Sequence, residues 1–139
     1  MGATLAGHVL ENAIGRSYES ITRDQIFAPL GMEPTEWATG PVAGVPNAVP
    51  YIDYRPTPPD EYPMLTPSGA LRTNVLALAR FLQMFMQGGT RDGVRILGGA
   101  SVAGMRRPQV PQIDDAMDLF WYYKRGYLGH AGGLAGTAS

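Results

Sequence analysis

Residues 126–139 read GYLGHAGGLAGTAS, with five glycines and a single histidine, His130, set among tyrosine, leucine and alanine. A bare glycine run has nothing to bury and stays flexible. This stretch differs, because apolar side chains interleave with the glycines. It also follows DLFWYYK (118–124), an aromatic run with strong β preference that is bounded by Gly126. The two stretches predict a pair of strands, with His130 on the second. What precedes that pair decides the fold.

Immediately upstream lie short elements. TRDGVRIL (90–97) predicts a tight turn at Asp92-Gly93 and an extended piece through Val94 and Leu97, and Ser101 can cap a short helix over Val102 to Met105 that ends before Pro108. The clearest helix precedes them. Thr73 or Asn74 caps it, and Leu78, Phe81, Leu82 and Phe85 form an i, i+3, i+4, i+7 stripe that stops at Gly88-Gly89. Met84 and Met86 extend its apolar surface as packing residues.

Residues 33–70 have another character. Nine of the chain's 12 prolines fall there, and proline removes backbone donors and fixes φ, so the span predicts a long irregular loop region. Loops of that length are uncommon unless functional. Trp37, Tyr51, Tyr54 and Tyr62 could either anchor it or line a substrate groove; anchoring is the expectation, since loop aromatics most often supply burial. Residues 1–32 predict a helix pair. Leu5, Val9, Leu10, Ala13 and Ile14 recur at helical spacing up to Gly15; Ser17 caps a second helix, with Tyr18, Ile21 and Ile26 on its apolar side and an end at Pro29 and Gly31. His8, among small and apolar neighbours of the first helix, reads as a surface or core-edge histidine.

Composition excludes several classes. At 139 residues and 45% hydrophobic content the chain suits one globular domain. A formal net charge of −1 gives no electrostatic basis for binding nucleic acid or an anionic membrane surface. No apolar run approaches the roughly 20 residues of a membrane span, and MGATLAGHVLENAIG has no basic n-region, so no signal peptide is expected there. Without cysteine there is no disulfide or thiol nucleophile. Two histidines 122 positions apart, with no clustered carboxylates, make no metal-ligand set, and no cofactor is expected.

The order of segments resembles the C-terminal part of the serine β-lactamase/penicillin-binding-protein superfamily, in the class C-like branch that includes esterases and D-Ala-D-Ala peptidases. LAGHVLENAIGRSYESITRDQIFAPLGM is similar to the helix pair ending in that family's PLGM turn. PSGALRTNVLALARFLQMFMQGG resembles its PAGGL-R-S-T segment and following helix, and RILGGASVAGMRRPQ its ILS-x-ESV-x-x-M piece. GHAGGLAGTAS is similar to its GHxGG-x-x-G-x-x-S strand. Departures are Ala77, where the family often has aspartate, and Gly69-Ala70-Leu71 in place of GGL.

The resemblance implies an α+β, β-lactamase/transpeptidase-like fold, present in part: a helical region plus the first strands of the C-terminal antiparallel sheet. Its parts would be the helix pair (1–32), the Pro-rich loop region (33–70), helices (71–108) and strands carrying H-x-G (117–139). The family acylates a serine in S-x-x-K, with a Y-x-N motif and a third K-T-G or H-x-G motif beside it. Lys124 is the only lysine and has Trp121 three residues before it, and no tyrosine here begins Y-x-N. By the resemblance those motifs belong upstream of residue 1. His130-Ala131-Gly132 matches the third. His130 would then stand for the family's lysine near the nucleophile and the substrate's carbonyl or carboxylate end. Gly132 would let substrate approach closely, and the Gly133 N–H would supply one oxyanion donor. Ser68, with Leu71 at +3 and no G-x-S-x-G elbow, reads as a turn serine.

The expected function is therefore a share of a serine acyl hydrolase acting on a β-lactam, a D-Ala-D-Ala-like peptide or an ester, with these 139 residues inactive alone. Its partner would be a small-molecule or peptidoglycan-like substrate, and a periplasmic or otherwise extracytoplasmic site suits the family. The contrasting expectation is a non-catalytic binding or scaffold module, whose exposed sheet edge and helix surfaces a partner or a homo-oligomer would cover.

Overall fold

A computed structural model describes residues 2–38, 40–56, 66–124, 126–134 and 137–138. The first helix, α1, covers Gly2–Ile14 and stops where the Gly15 N–H donates to the Glu11 carbonyl at 2.7 Å. Ser17 caps α2 (Tyr18–Thr22) as its sequence predicts, its hydroxyl accepting from the Ser20 N–H at 3.2 Å. The chain stays helical to the Pro29-Gly31 stop, but in three pieces. A π-helical turn, Arg23–Phe27, divides α2 from α3 (Ala28–Leu30). Side-chain periodicity over so few residues does not distinguish an i→i+4 from an i→i+5 ladder, so the sequence gives no sign of it. Gly31 ends the run with φ at +65°, a left-handed cap that glycine adopts without steric cost.

In the Pro-rich region, β1 (Glu36–Trp37) is followed by a hairpin, β2 (Tyr51–Ile52) against β3 (Arg55–Pro56), and then by β4 (Leu71–Arg72), which returns antiparallel to β1. Among the described aromatics of the loop, only Trp37 anchors as expected. Its ring meets Tyr18 edge-on at 5.4 Å and Phe27 at 6.5 Å, and its Nε1–H donates to the Thr22 hydroxyl at 2.9 Å. Tyr51 and Tyr54 do not anchor: the β2–β3 hairpin turns at Asp53 and Tyr54, both with positive φ, and Tyr54 is fully solvent-exposed. Hairpin geometry, not burial, places them. Tyr62 lies outside the described residues.

Asn74 caps α4 (Val75–Met86), its side chain accepting from the Ala77 N–H at 2.9 Å. The next turn depends on Gly89. With φ at +95°, its carbonyl accepts from both the Ile96 and Leu97 N–H groups, and a Cβ there would stand 2.2 Å from the Leu97 carbonyl oxygen. The hairpin β5 (Thr90–Arg91)/β6 (Val94–Arg95) turns at Asp92-Gly93 as predicted, but the strand ends at Arg95 because Ile96 and Leu97 bond to Gly89 instead. Helix α5 (Gly99–Met105) begins earlier than its sequence suggests. Gly98 occupies the cap position, so Ser101 lies inside the first turn and caps nothing.

The aromatic run is also shorter as a strand. The Asp118 N–H donates to the Trp121 carbonyl at 2.9 Å and Phe120 has φ at +62°, so 118–121 form a tight turn. Strand β7 is Tyr122–Lys124, paired with β8 (Tyr127–Gly129) across Gly126. The last ladder pairs β9 (Gly133–Leu134) with β10 (Thr137–Ala138). Thus His130-Ala131-Gly132 lies between β8 and β9 rather than within a strand, and the antiparallel ladders are two-stranded hairpins or pairs, with no continuous C-terminal sheet among the described residues.

The core gathers Phe27, Leu30, Met32, Ala77, Met84, Phe85 and Val102, with Trp37, Phe81 and Trp121 packed against it. Met84 is wholly buried and Phe85 stacks on Trp121 at 4.7 Å. Burying a side chain of that size stabilises by about 1.5–3 kcal/mol. Outside this cluster, Leu5 and Val9 of α1 and Val75, Leu76 and Met86 of α4 stay exposed.

Candidate functional site

A cleft of about 530 Å³ opens along α1. Ala3, Ala6, Gly7 and Leu10, on one face of that helix at i, i+3, i+4 and i+7, form one wall; Tyr18, Pro67, Ser68, Phe120 and His130 complete it. His130 is exposed, and its ring packs on Tyr122 with centroids 5.4 Å apart and planes tilted by 39°. The β7–β8 hairpin positions it, since Tyr122 pairs with Gly129 directly before it.

The turn at 66–69 is held against α1 by contacts between distant segments. The Thr4 and Ser68 hydroxyls share a hydrogen bond at 2.9 Å. Gly7, the one buried residue of α1, takes the Pro67 ring against its Cα. Tyr18 is half-buried, and burial pushes its hydroxyl above the ordinary tyrosine value of 10.0. It is thus a neutral hydrogen-bonding group across the physiological range. The site brings a neutral phenol side chain, a serine and an imidazole together with small and apolar walls, a setting for a small ligand.

Of the residues expected from sequence, His130 lines the cleft. Gly132 is exposed and Gly133 pairs with Ala138; neither is among the lining residues. His8 is on the exposed side of α1, near Glu11 and Asn12, as expected for a surface histidine. Ser68 sits in a turn, as expected, but also in the cleft wall. The small-residue face of α1, Tyr18, Pro67 and Phe120 carry no motif. Only the spacing of Ala3, Ala6 and Gly7 signals a helix face shaped for close approach. Among the described residues no cluster of three or more histidines and carboxylates could hold a metal, and no helix is long and apolar enough to cross a membrane.

The β-lactamase family model matches residues 1–139. The chain belongs to the β-lactamase family. This β-lactamase-family chain is 26% identical to penicillin-binding protein 4 of Amycolatopsis lactamdurans over 141 residues, covering 96% of itself and 36% of that relative. It matches the octameric penicillin-binding protein homologue of Pyrococcus abyssi with a TM-score of 0.63 and 26% identity, over 91% of this chain and 28% of that one. A β-lactamase-like structure from Bacteroides dorei matches at TM-score 0.56 and 27% identity, over 76% and 26% of the respective chains. The chain therefore spans about a third of the length of the curated relative and about a quarter of each solved structure. The solved structures share a partial β-lactamase/transpeptidase-like fold with it.

Proposed function

We propose that these residues form one side of the active site of a serine acyl hydrolase, acting through an acyl-enzyme on a β-lactam, a D-Ala-D-Ala-like peptide or an ester. The observation that carries this reading is that His130, the residue matching the third motif of the family, lines the cleft along α1. A nucleophilic serine and its lysine would come from polypeptide outside the 139 residues. Attack on the substrate carbonyl moves charge onto its oxygen. By the family match the Gly133 N–H, which does not line this cleft, would supply one donor to that oxyanion, the nucleophile's own amide the other. His130 would hold the carbonyl or carboxylate end, and Gly132 would leave room for the substrate against the backbone.

The test is hydrolysis of a chromogenic cephalosporin and of p-nitrophenyl acetate by the polypeptide encoded by the whole reading frame containing this chain. Turnover is expected, with His130→Ala lowering kcat/KM by about 10²–10³-fold, the scale of one lost transition-state contact. The 139 residues alone should give none. Turnover by these residues alone, abolished by Ser68→Ala, would overturn the reading.

A second reading, a non-catalytic module that associates with itself, draws on the exposed Leu5, Val9, Val75, Leu76 and Met86 and on the octameric state named for the Pyrococcus abyssi relative. Sedimentation of the chain at two concentrations distinguishes it: a concentration-independent monomer rules it out.

A further inference from the structure

Gly7 is unexpected in the middle of a 13-residue helix. Its φ is ordinary for a helix, so no turn requires glycine there, and glycine costs about 1 kcal/mol relative to alanine in a helix interior. The reason lies across the cleft wall. A Cβ at position 7 would stand 2.6 Å from Pro67 Cδ, 3.1 Å from Pro67 Cγ and 3.6 Å from the Tyr18 ring. The missing side chain is what allows the turn at 66–69 to sit directly on α1. One helical turn earlier, Thr4 joins its hydroxyl to that of Ser68, the next residue in the same turn. Both contacts fix the same object, and Gly7, Pro67 and Ser68 line the cleft together with His130.

The geometry points to Gly7 as a positioning residue for Ser68, and to the Ser68 hydroxyl as a specificity-determining contact for the acyl portion of a small substrate; this rests on the acyl-hydrolase reading above. Ser68 performs no bond-making step. It presents a hydroxyl from the turn seated on the helix's small-residue face, where a short acyl group can be met by a polar partner and a long one must pass over it. A side chain at position 7 displaces the Pro67-Ser68 turn outward, widening the cleft and moving that hydroxyl away. Misplacement by about 1 Å can cost up to about 100-fold in a positioned reaction.

The experiment is a double-mutant cycle in the polypeptide of the whole reading frame: Gly7→Ala, Ser68→Ala and both. It reads the ratio of kcat/KM for p-nitrophenyl acetate to that for p-nitrophenyl octanoate. Each single change should shift the ratio toward the longer ester by about tenfold, the scale of a modest pocket change. In the double variant Gly7→Ala should add nothing beyond Ser68→Ala, because its target is gone. Independent multiplying effects, or an unchanged ratio with only a lower Tm, would overturn the inference. Thr4→Val adds no atoms at the Gly7 contact and should shift the ratio the same way, so a poorly folding Gly7→Ala leaves the idea testable; an unchanged ratio there counts against it. The seating itself is read without activity. In amide NMR spectra of this chain, Gly7→Ala should move the Ser68, Gly69 and His130 signals, and stationary signals would refute it. Moved signals with no turnover by the unsubstituted polypeptide would sink the acyl-hydrolase reading instead.

Discussion

The Glu11 side chain reaches out of α1 to accept the backbone N–H of Tyr18 at 2.7 Å, tying the first helix to the first turn of the second. An acceptor at a helix start satisfies one orphan donor and meets the positive end of the helix dipole. Glu11→Ala should therefore destabilise the chain by about 1.5–3 kcal/mol, the range for a hydrogen bond to a charged group. Glu11→Gln, which keeps an acceptor, should recover more than half of that. Urea midpoints at constant m-value check both.

Two glycines give opposite predictions. At Gly89, φ is +95° and a Cβ would collide with the Leu97 carbonyl oxygen at 2.2 Å, so Gly89→Ala must break the bonds that Ile96 and Leu97 make to residue 89. We expect a loss of more than about 2 kcal/mol. Gly104 lies within α5 with nothing within 4 Å of a Cβ, so Gly104→Ala should stabilise by about 0.5–1 kcal/mol. Thermal melts of the two variants should move in opposite directions.

How far these contacts could be read in advance depends on their range along the chain. Ser17, Asn74 and the Asp92-Gly93 turn act over two to four residues, and each does what its type and neighbours predict. Ser101 fails because capping is competitive: Gly98 reaches the required extended conformation first, with φ at −71° and ψ at 146°. The run 118–124 fails as one strand because the Leu119 N–H bonds to the Met105 carbonyl at 3.3 Å, a partner set by tertiary structure. His130 stands out in the sequence because it matches the family's third motif, and it lines the cleft. Its companions Pro67, Ser68, Tyr18 and Phe120 do not stand out, since a cleft built by 64-residue separations such as Thr4 to Ser68 leaves no local pattern.

Asp24 gives a prediction in acid. The hydrogen bond from Arg16 holds its carboxyl below the usual value of 3.8; slight desolvation opposes this, while the hydrogen bond from Arg23 and the two positive charges add to it. A carboxyl whose pKa is lower folded than unfolded contributes stability above its unfolded pKa and loses it as pH falls through the folded value. Asp24→Asn should therefore flatten the stability–pH curve below about pH 4 and leave its alkaline side unchanged. The pair is exposed, so added salt should shrink the difference between the two proteins. Urea titrations from pH 2 to 7, at low and high salt, measure it.

Tyr18 gives the mirror case in base, and one that reports on the cleft. Its hydroxyl is raised above 10.0 by burial, which penalises the phenolate. Between the unfolded and folded pKa values the native state holds a proton that the unfolded state has lost. Stability from this group is therefore complete below about pH 10 and declines as pH rises through the folded value. In Tyr18→Phe that portion of the alkaline decline should vanish, while the ring keeps its edge-on contact with Trp37. Difference absorbance near 295 nm should show the missing phenol among the last to ionise. Tyr18 lines the cleft along α1, so a small ligand that fills the cleft and covers this side chain should move the same titration further upward. An early-titrating Tyr18, or one indifferent to the ligand, would place its hydroxyl outside the cleft that Gly7, Ser68 and His130 share.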